Sequence, residues 1–385
     1  MKIKLLKYLF IASCILLFVN QSNGQQLDLN FLNISSKDGL SSNLVNAIHK
    51  DKYGFMWFGT DDGLNKFDGE RFTVYRHKAE DAESISSNEI LYLFEDGRDN
   101  LWICTGSGLV MYDRDTDAFK NIASTKDFTT TSVCVFNNKV WLAHYSGLVI
   151  LDQESGEISE VPLKSKEDKS VLARGVLHLF KDSKNRLWIG TNAGLYIYNV
   201  KQQALEKFLH NSSDSQSIAS NYISQITEDL NGNIWVATEA GLSMLVKNTR
   251  KFINYRNNPN DINSLSNNIV YTIASAPDGK LWVGTEDGLN IVNPATKKVE
   301  RAAKNSRNKY GLVGKSVKEI YLDNQGIFWI ATFRGGINKY DKNLAFFNLR
   351  QSNHFDPFGL SAPVVTSFAK QTKNSNGWWS GNVPN

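Results

Sequence analysis

Leu281-Trp282-Val283-Gly284-Thr285-Glu286-Asp287-Gly288-Leu289-Asn290 is the stretch from which the fold can be read. The residue two after Trp is small and lies on the same strand face, and a two-residue tip then leads to a Gly-Leu pair that opens the next strand. The pattern recurs. Trp57, Trp102, Trp141, Trp188, Trp235, Trp282 and Trp329 are spaced by 45, 39, 47, 47, 47 and 47 residues. Trp378 and Trp379 stand 49 and 50 residues beyond Trp329, so every tryptophan occupies a repeat position or lies near one.

Working outward, an Asp-led turn precedes Trp, as in Asp182-Ser183-Lys184-Asn185 and Asp229-Leu230-Asn231-Gly232. Asp can bond its own backbone two residues on, and Gly or Asn tolerates positive φ, which is hairpin chemistry. Apolar residues recur twelve before Trp (Val45, Ile90, Val176, Ile223, Val270, Val317) and nine before it. A fourth apolar cluster then follows near Phe72, Phe119, Phe208, Phe252 and Phe346. Each unit therefore reads as four short strands. One such sheet cannot bury both faces, and radial repetition at about 40–50 residues per unit solves this. The expected fold is all-β, a seven-bladed β-propeller of four-stranded blades. The small residue after Trp (Gly59, Cys104, Ala143, Gly190, Ala237, Gly284, Ala331) leaves room for a neighbouring blade's bulk.

Two closures of the ring are open. The leader Phe31-Leu32-Asn33-Ile34 can supply the fourth strand of the seventh blade, or Phe346 to Leu349 can close that blade itself. The first is favoured, because an unpaired edge strand is a liability. The third unit departs from the pattern, with no Asp-turn and with Ala143-His144 in place of Gly-Thr. The seventh carries an extra residue in Arg334-Gly335-Gly336-Ile337. Leu360 to Ala369 begins an eighth unit that the chain does not finish before Asn385. The expected division is a signal peptide over 1–24, the propeller over 25–350, and a truncated second propeller over 351–385.

The runs Gly39-Leu40-Ser41-Ser42-Asn43 with Gly54-Phe55-Met56-Trp57-Phe58-Gly59-Thr60, and Ser264-Leu265-Ser266-Asn267-Asn268 with Leu281 to Asn290, resemble the two-component-regulator propeller repeat. The resemblance covers about Phe31 to Ala369. It implies the N-terminal periplasmic sensor part of a hybrid two-component system of the Bacteroidetes type, whose full-length members are histidine kinases and commonly sense glycan fragments. Such receptors carry two propellers, an immunoglobulin-like module, a membrane helix, a kinase, a receiver and a DNA-binding region. This sequence shows the signal, one propeller and the start of another. With no kinase His-box, nucleotide-binding glycine motif or receiver aspartate to place, kinase activity is not carried over. The reading is a truncated receptor sensor.

Composition agrees. Lys+Arg number 43 against 39 Asp+Glu, and three of the lysines (Lys2, Lys4, Lys7) lie in the first ten residues. The remainder is nearly neutral, which excludes a polybasic nucleic-acid binder. Those lysines, the apolar run Leu9 to Val19 and Ser22-Asn23-Gly24 read as a secretory signal, with an apolar core of about 11 residues, too short to span a bilayer. No other stretch is long enough, so the mature chain is expected to be exported, periplasmic and without a direct membrane span. Cys104 and Cys134 remain after cleavage, and both fall in interior strands, which argues against a bond between them.

No cofactor, metal set or catalytic residue can be assigned. The six histidines (His49, His77, His144, His178, His210, His354) have no metal spacing, and no Gly-x-Ser-x-Gly elbow occurs. The functional signal is variation inside the repeat, because the two residues between Thr and Gly-Leu differ in every unit. Binding residues on a repeated scaffold usually sit on such divergent tips. The candidate ligand-binding residues are Asp61, Asp62, Ser107, His144, Tyr145, Asn192, Glu239, Glu286, Asp287 and Arg334. A second set ten before Trp (Tyr92, His178, Gln225, Thr272, Glu319) could line the channel. The apolar spacing of three in that strand implies a bulge and leaves its face open. The expected partners are an oligosaccharide and further receptor domains or a second receptor chain. The alternatives are an exported polysaccharide lyase or glycosidase using Asp61, Glu239 or Glu286, and a misfolding gene remnant.

Overall fold

The computed structural model describes residues 27, 29–173, 175–302 and 310–344. The expected signal peptide, the strand at Phe346 to Leu349 and the expected second propeller lie outside the described residues. Contacts divide the chain into Met1–Asp341, which holds the sheets described here, and Lys342–Asn385.

Seven antiparallel four-stranded sheets form a wheel, as the tryptophan spacing predicts. Their first strands, Val45–Lys50, Ile90–Glu95, Thr130–Phe136, Val176–Lys181, Ile223–Glu228, Val270–Ser275 and Val317–Leu322, each touch the first strands of both neighbouring blades and so ring the axis. The other strands of each blade follow outward in chain order. Blade seven alone borrows its outermost strand. Leu32–Ile34 pairs antiparallel with Gly336–Tyr340 through Leu32 opposite Lys339 and Ile34 opposite Ile337. The favoured closure is the observed one. Asn33 Nδ2 donates to the carbonyls of Gly335 (2.9 Å) and Ile337 (3.2 Å), adding side-chain bonds to the clasp.

The seven apolar clusters sit between blades. Trp57 packs with Ile85, Ile90 and Leu93 of the second blade, and Trp188 packs with Ile218, Ile223 and Ile226 of the fifth. Trp329 meets Val45 and Ile48 of the first, across the closing seam. Trp57, Trp188 and Trp235 are wholly buried, contributing roughly 2–3 kcal/mol each. The small residue after Trp has the expected reason. A Cβ on Gly190 would lie 2.7 Å from Ile223 Cγ2 of the next blade, and one on Gly284 would lie 2.6 Å from Val317 Cγ1.

Blade three replaces the Asp-turn with Asn137-Asn138, both at positive φ, a two-residue hairpin turn. Cys104 and Cys134 are free and buried in different inter-blade clusters. Among the described residues no helix is long and apolar enough to cross a membrane.

Candidate functional site

The tips between second and third strands are short and braced. In blades one, two, four, five and six the Thr hydroxyl at the end of the second strand donates to the carbonyl of the Gly three residues on. It also accepts the amide of the residue two on. Each tip is thereby a rigid mount for two side chains. Blade three has His144 instead, stacked on Phe128 at 4.0 Å between ring centroids, with burial holding its imidazole below the usual histidine range. Blade seven also differs. Thr332 donates to Val313 O of the preceding connector, and the extra residue leaves Arg334 at φ 56° with Phe333 beside it. That tip projects an aromatic and a cation.

The structure separates the candidate residues into two groups. Asp62 is tied to Arg76 at 2.9 Å, and Asp61 is exposed. Asp287 pairs with Lys315 at 3.2 Å. Ser107 lines an open depression of about 330 Å³ with His77, Ser86 and Lys126, between the connectors on either side of blade two. Asn192 packs its amide against Gly175, and His144 is buried. The remaining four candidates, Tyr145, Glu239, Glu286 and Arg334, fall on one arc over blades three to seven.

Three residues that the tip pattern does not contain connect that arc. Tyr222, 37% exposed, stands just before the first strand of blade five. Burial raises its pKa, and the nearby Tyr145 and Glu239 add to the shift. Tyr271 on the first strand of blade six donates to Glu286 Oε2 at 2.7 Å, and Ser316 Oγ donates to the same oxygen at 2.9 Å. These bonds, Tyr271 foremost, hold Glu286 below its ordinary range, while burial and Glu286 together push Tyr271 up to about 12. Lys318 on the first strand of blade seven sits 3.5 Å over the Tyr271 ring and 5.7 Å from Phe333, with its ammonium 3.6 Å from Glu286. Burial lowers its pKa against the pull of Glu286. Tyr145 and Phe333 are 56% and 45% exposed. Aromatic faces, hydroxyls and charges of both signs thus share one surface. The signal for the missing three was variation eleven and thirteen residues before Trp, hidden because those positions lie on or just before strands rather than on tips.

The second set resolves as well. The bulge is real, falling in blade five between Ile223 and Gln225 and recurring in blades one, two, three, four, six and seven. In blades four, five and six it turns the residue ten before Trp inward to cap the next blade. His178 Nδ1 accepts the Ile226 amide at 3.4 Å, and Thr272 Oγ1 accepts that of Ile320 at 3.2 Å. Tyr92 crosses the channel, its ring 5.9 Å from the His178 ring and its hydroxyl within electrostatic reach of Glu319. Burial pushes Glu319 up to about 8 and His178 down to about 4. Among the described residues no group of His, Cys, Asp and Glu is arranged to hold a metal.

Four stretches, 39–62, 84–107, 170–193 and 264–287, match the family model described as two component regulator propeller. Over 56 residues the chain is 52% identical to histidine kinase P4 of Formosa agariphila, a match covering 14% of this chain and 4% of that one. The fold matches the extracellular domain assigned to hybrid two component system BT3049 of B. thetaiotaomicron, with 27% identity and a TM-score of 0.73 over 90% of this chain and 46% of that one. The extracellular domain assigned to system BT4673 matches at 20% identity and 0.68, over 83% and 40%. A virginiamycin B lyase of Staphylococcus aureus matches at 12% and 0.59, over 81% and 98%, a likeness of fold alone. This is a seven-bladed propeller, and stretches in four of its repeat units match the two component regulator propeller model. More particularly, it resembles extracellular domains of hybrid two-component systems, of which it spans less than half the length in the two compared, and a small part of the kinase relative.

Proposed function

We propose that this propeller is the exported, periplasmic ligand-sensing part of a hybrid two-component receptor, that it recognises glycan fragments without reacting with them, and that its site is the aromatic arc on the face of the second-to-third-strand tips. The observation that carries this is the arc itself. Tyr145, Tyr222, Tyr271 and Phe333 present rings beside hydroxyl and charged groups, which is the combination a sugar's apolar ring face and hydroxyl rim require. Bound ligand would favour one arrangement of this wheel with further receptor domains or a second receptor chain, and so pass the signal on. Calorimetric titration of the full chain with a panel of plant and algal oligosaccharides tests this. Binding of at least one, weakened about tenfold or more by Tyr222→Ala with an unchanged melting temperature, is expected, since an aromatic contact of about 1.4 kcal/mol is worth tenfold. Binding that survives loss of Tyr222 and Phe333 together would place the site elsewhere. Turnover of any panel member would overturn the non-enzymatic reading.

A further inference from the structure

The two ends of the arc differ in charge, and the difference names a ligand class. On the blade-five side Glu239 is exposed. At blade seven two cations flank the exposed Phe333. Arg334 holds its guanidinium 5.1 Å over that ring, and among the described residues no carboxylate pairs with it. Among the described residues Lys318 pairs with one acid, Glu286, at 3.6 Å. The Glu286 oxygen facing Lys318 already accepts two shorter bonds, from Tyr271 and Ser316. The ammonium is therefore partly desolvated against two rings, and the one carboxylate beside the two cations leaves this end of the arc with a net positive charge. The described part of the connector leading into blade seven, residues 310–316, reads Tyr-Gly-Leu-Val-Gly-Lys-Ser and holds no acid. The other acid nearby, Asp287, is engaged by Lys315.

Two cations beside one carboxylate carry an unbalanced positive charge, and an arriving anion balances it. Arg334 stands at a left-handed φ on the one tip that carries an extra residue, so its placement is not imposed by the shared Thr-Gly brace. A planar guanidinium over an aromatic, next to an ammonium, suits a carboxylate or sulfate projecting from a ring that stacks on that aromatic. We infer that the site, if it is the glycan site proposed above, takes an acidic saccharide whose carboxylate or sulfate lies between Lys318 and Arg334 while its ring stacks on Phe333. Glu239 at the other end repels the same group, which fixes the direction of the chain along the arc.

The test is matched pairs titrated into the full chain by calorimetry: oligogalacturonate trimer against its methyl ester, and sulfated against desulfated galactan oligosaccharides, within a panel that also holds neutral xylo-, manno- and gluco-oligosaccharides. The acidic member of at least one pair should bind about tenfold tighter than its neutral partner, and its affinity should fall as salt is raised. Arg334→Gln, at an exposed position that leaves the fold alone, should remove about fivefold or more of that preference, and Lys318→Met should remove a similar share. The carboxylate and sulfate pairs separate the two sources of the anion. Binding confined to neutral sugars, or a preference unmoved by Arg334→Gln, overturns this inference and leaves the sensing reading standing. Binding of no saccharide in the panel overturns both.

Discussion

An aspartate six residues ahead of tryptophan does two things at once in blades one, two, four, five and seven. In blade five, Asp229 Oδ1 accepts the amides of Asn231 and Asn233 at 2.9 Å each, and Oδ2 accepts Trp235 Nε1–H at 2.9 Å. One carboxylate closes the turn and satisfies the buried indole. The sequence explains the first role through turn chemistry but hides the second, because an indole's polar atom leaves no trace in an apolar pattern. In blade three the Phe136 carbonyl substitutes as acceptor at 3.2 Å. Asp229→Ala should cost about 3 kcal/mol, the penalty of leaving several buried donors unpaired, read as a shift in the urea midpoint. A loss under about 1 kcal/mol would mean that water replaces the carboxylate.

Between elements, the fit of one blade against the next depends on what is missing as much as on what is present. Gly190 faces Ile223 with no room for a methyl group. Gly190→Val should destabilise by about 3 kcal/mol or more through overpacking, and pairing it with Ile223→Ala should recover part of that loss. Additive losses would show that the glycine is needed for its backbone alone. A similar accounting marks the connectors. In blade five Asn254 donates to the carbonyls of Ser215 and Ser217, and its Oδ1 accepts from Ser243 at 2.6 Å. In blade two Asn121 donates to the carbonyls of Ala82 and Ser84 in the same way, but Val110 stands where Ser243 does, and Asn121 Oδ1 is buried without a partner. The repeat is thus held by its connectors as well as its strands.

For the whole molecule, closure and the channel are decisive. Removing residues 25–35 should lower the melting temperature of the propeller by about 10 °C or more, because it strips the last strand from blade seven and exposes a sheet edge. An unchanged transition would mean that the wheel closes without its clasp. The channel makes stability depend on pH in two windows. Glu319 has a folded pKa near 8, raised above its unfolded value, so the folded state holds its proton more tightly and stability declines as pH rises from about 4.5 through 8. His178 has a folded pKa near 4, depressed below its unfolded value, so stability is lost as pH falls from about 6.5 through 4. Glu319→Gln should flatten the alkaline limb of a melting-temperature profile between pH 5 and 8.5 and leave the acid limb in place. An identical alkaline limb in the variant would show that this carboxyl is ionised at neutral pH.

By itself the sequence determined the wheel. Seven tryptophans at near-constant spacing, a small residue two beyond each and a turn before each are local signals, and local signals repeated become architecture because each sheet must bury its faces on a copy of itself. It also marked the tips that bear Tyr145, Glu239, Glu286 and Arg334. Only the tertiary structure decided which of these act together. Tyr222, Tyr271 and Lys318 lie on or beside strands in different blades and meet the tips through space across about 15 to several tens of residues, a proximity that no linear spacing encodes. The direction of the residues ten before Trp was decided there too, because a bulge reverses strand alternation. Whether that reversal points Glu319 and Tyr92 into the axis depends on the ring around them rather than on their neighbours in the chain.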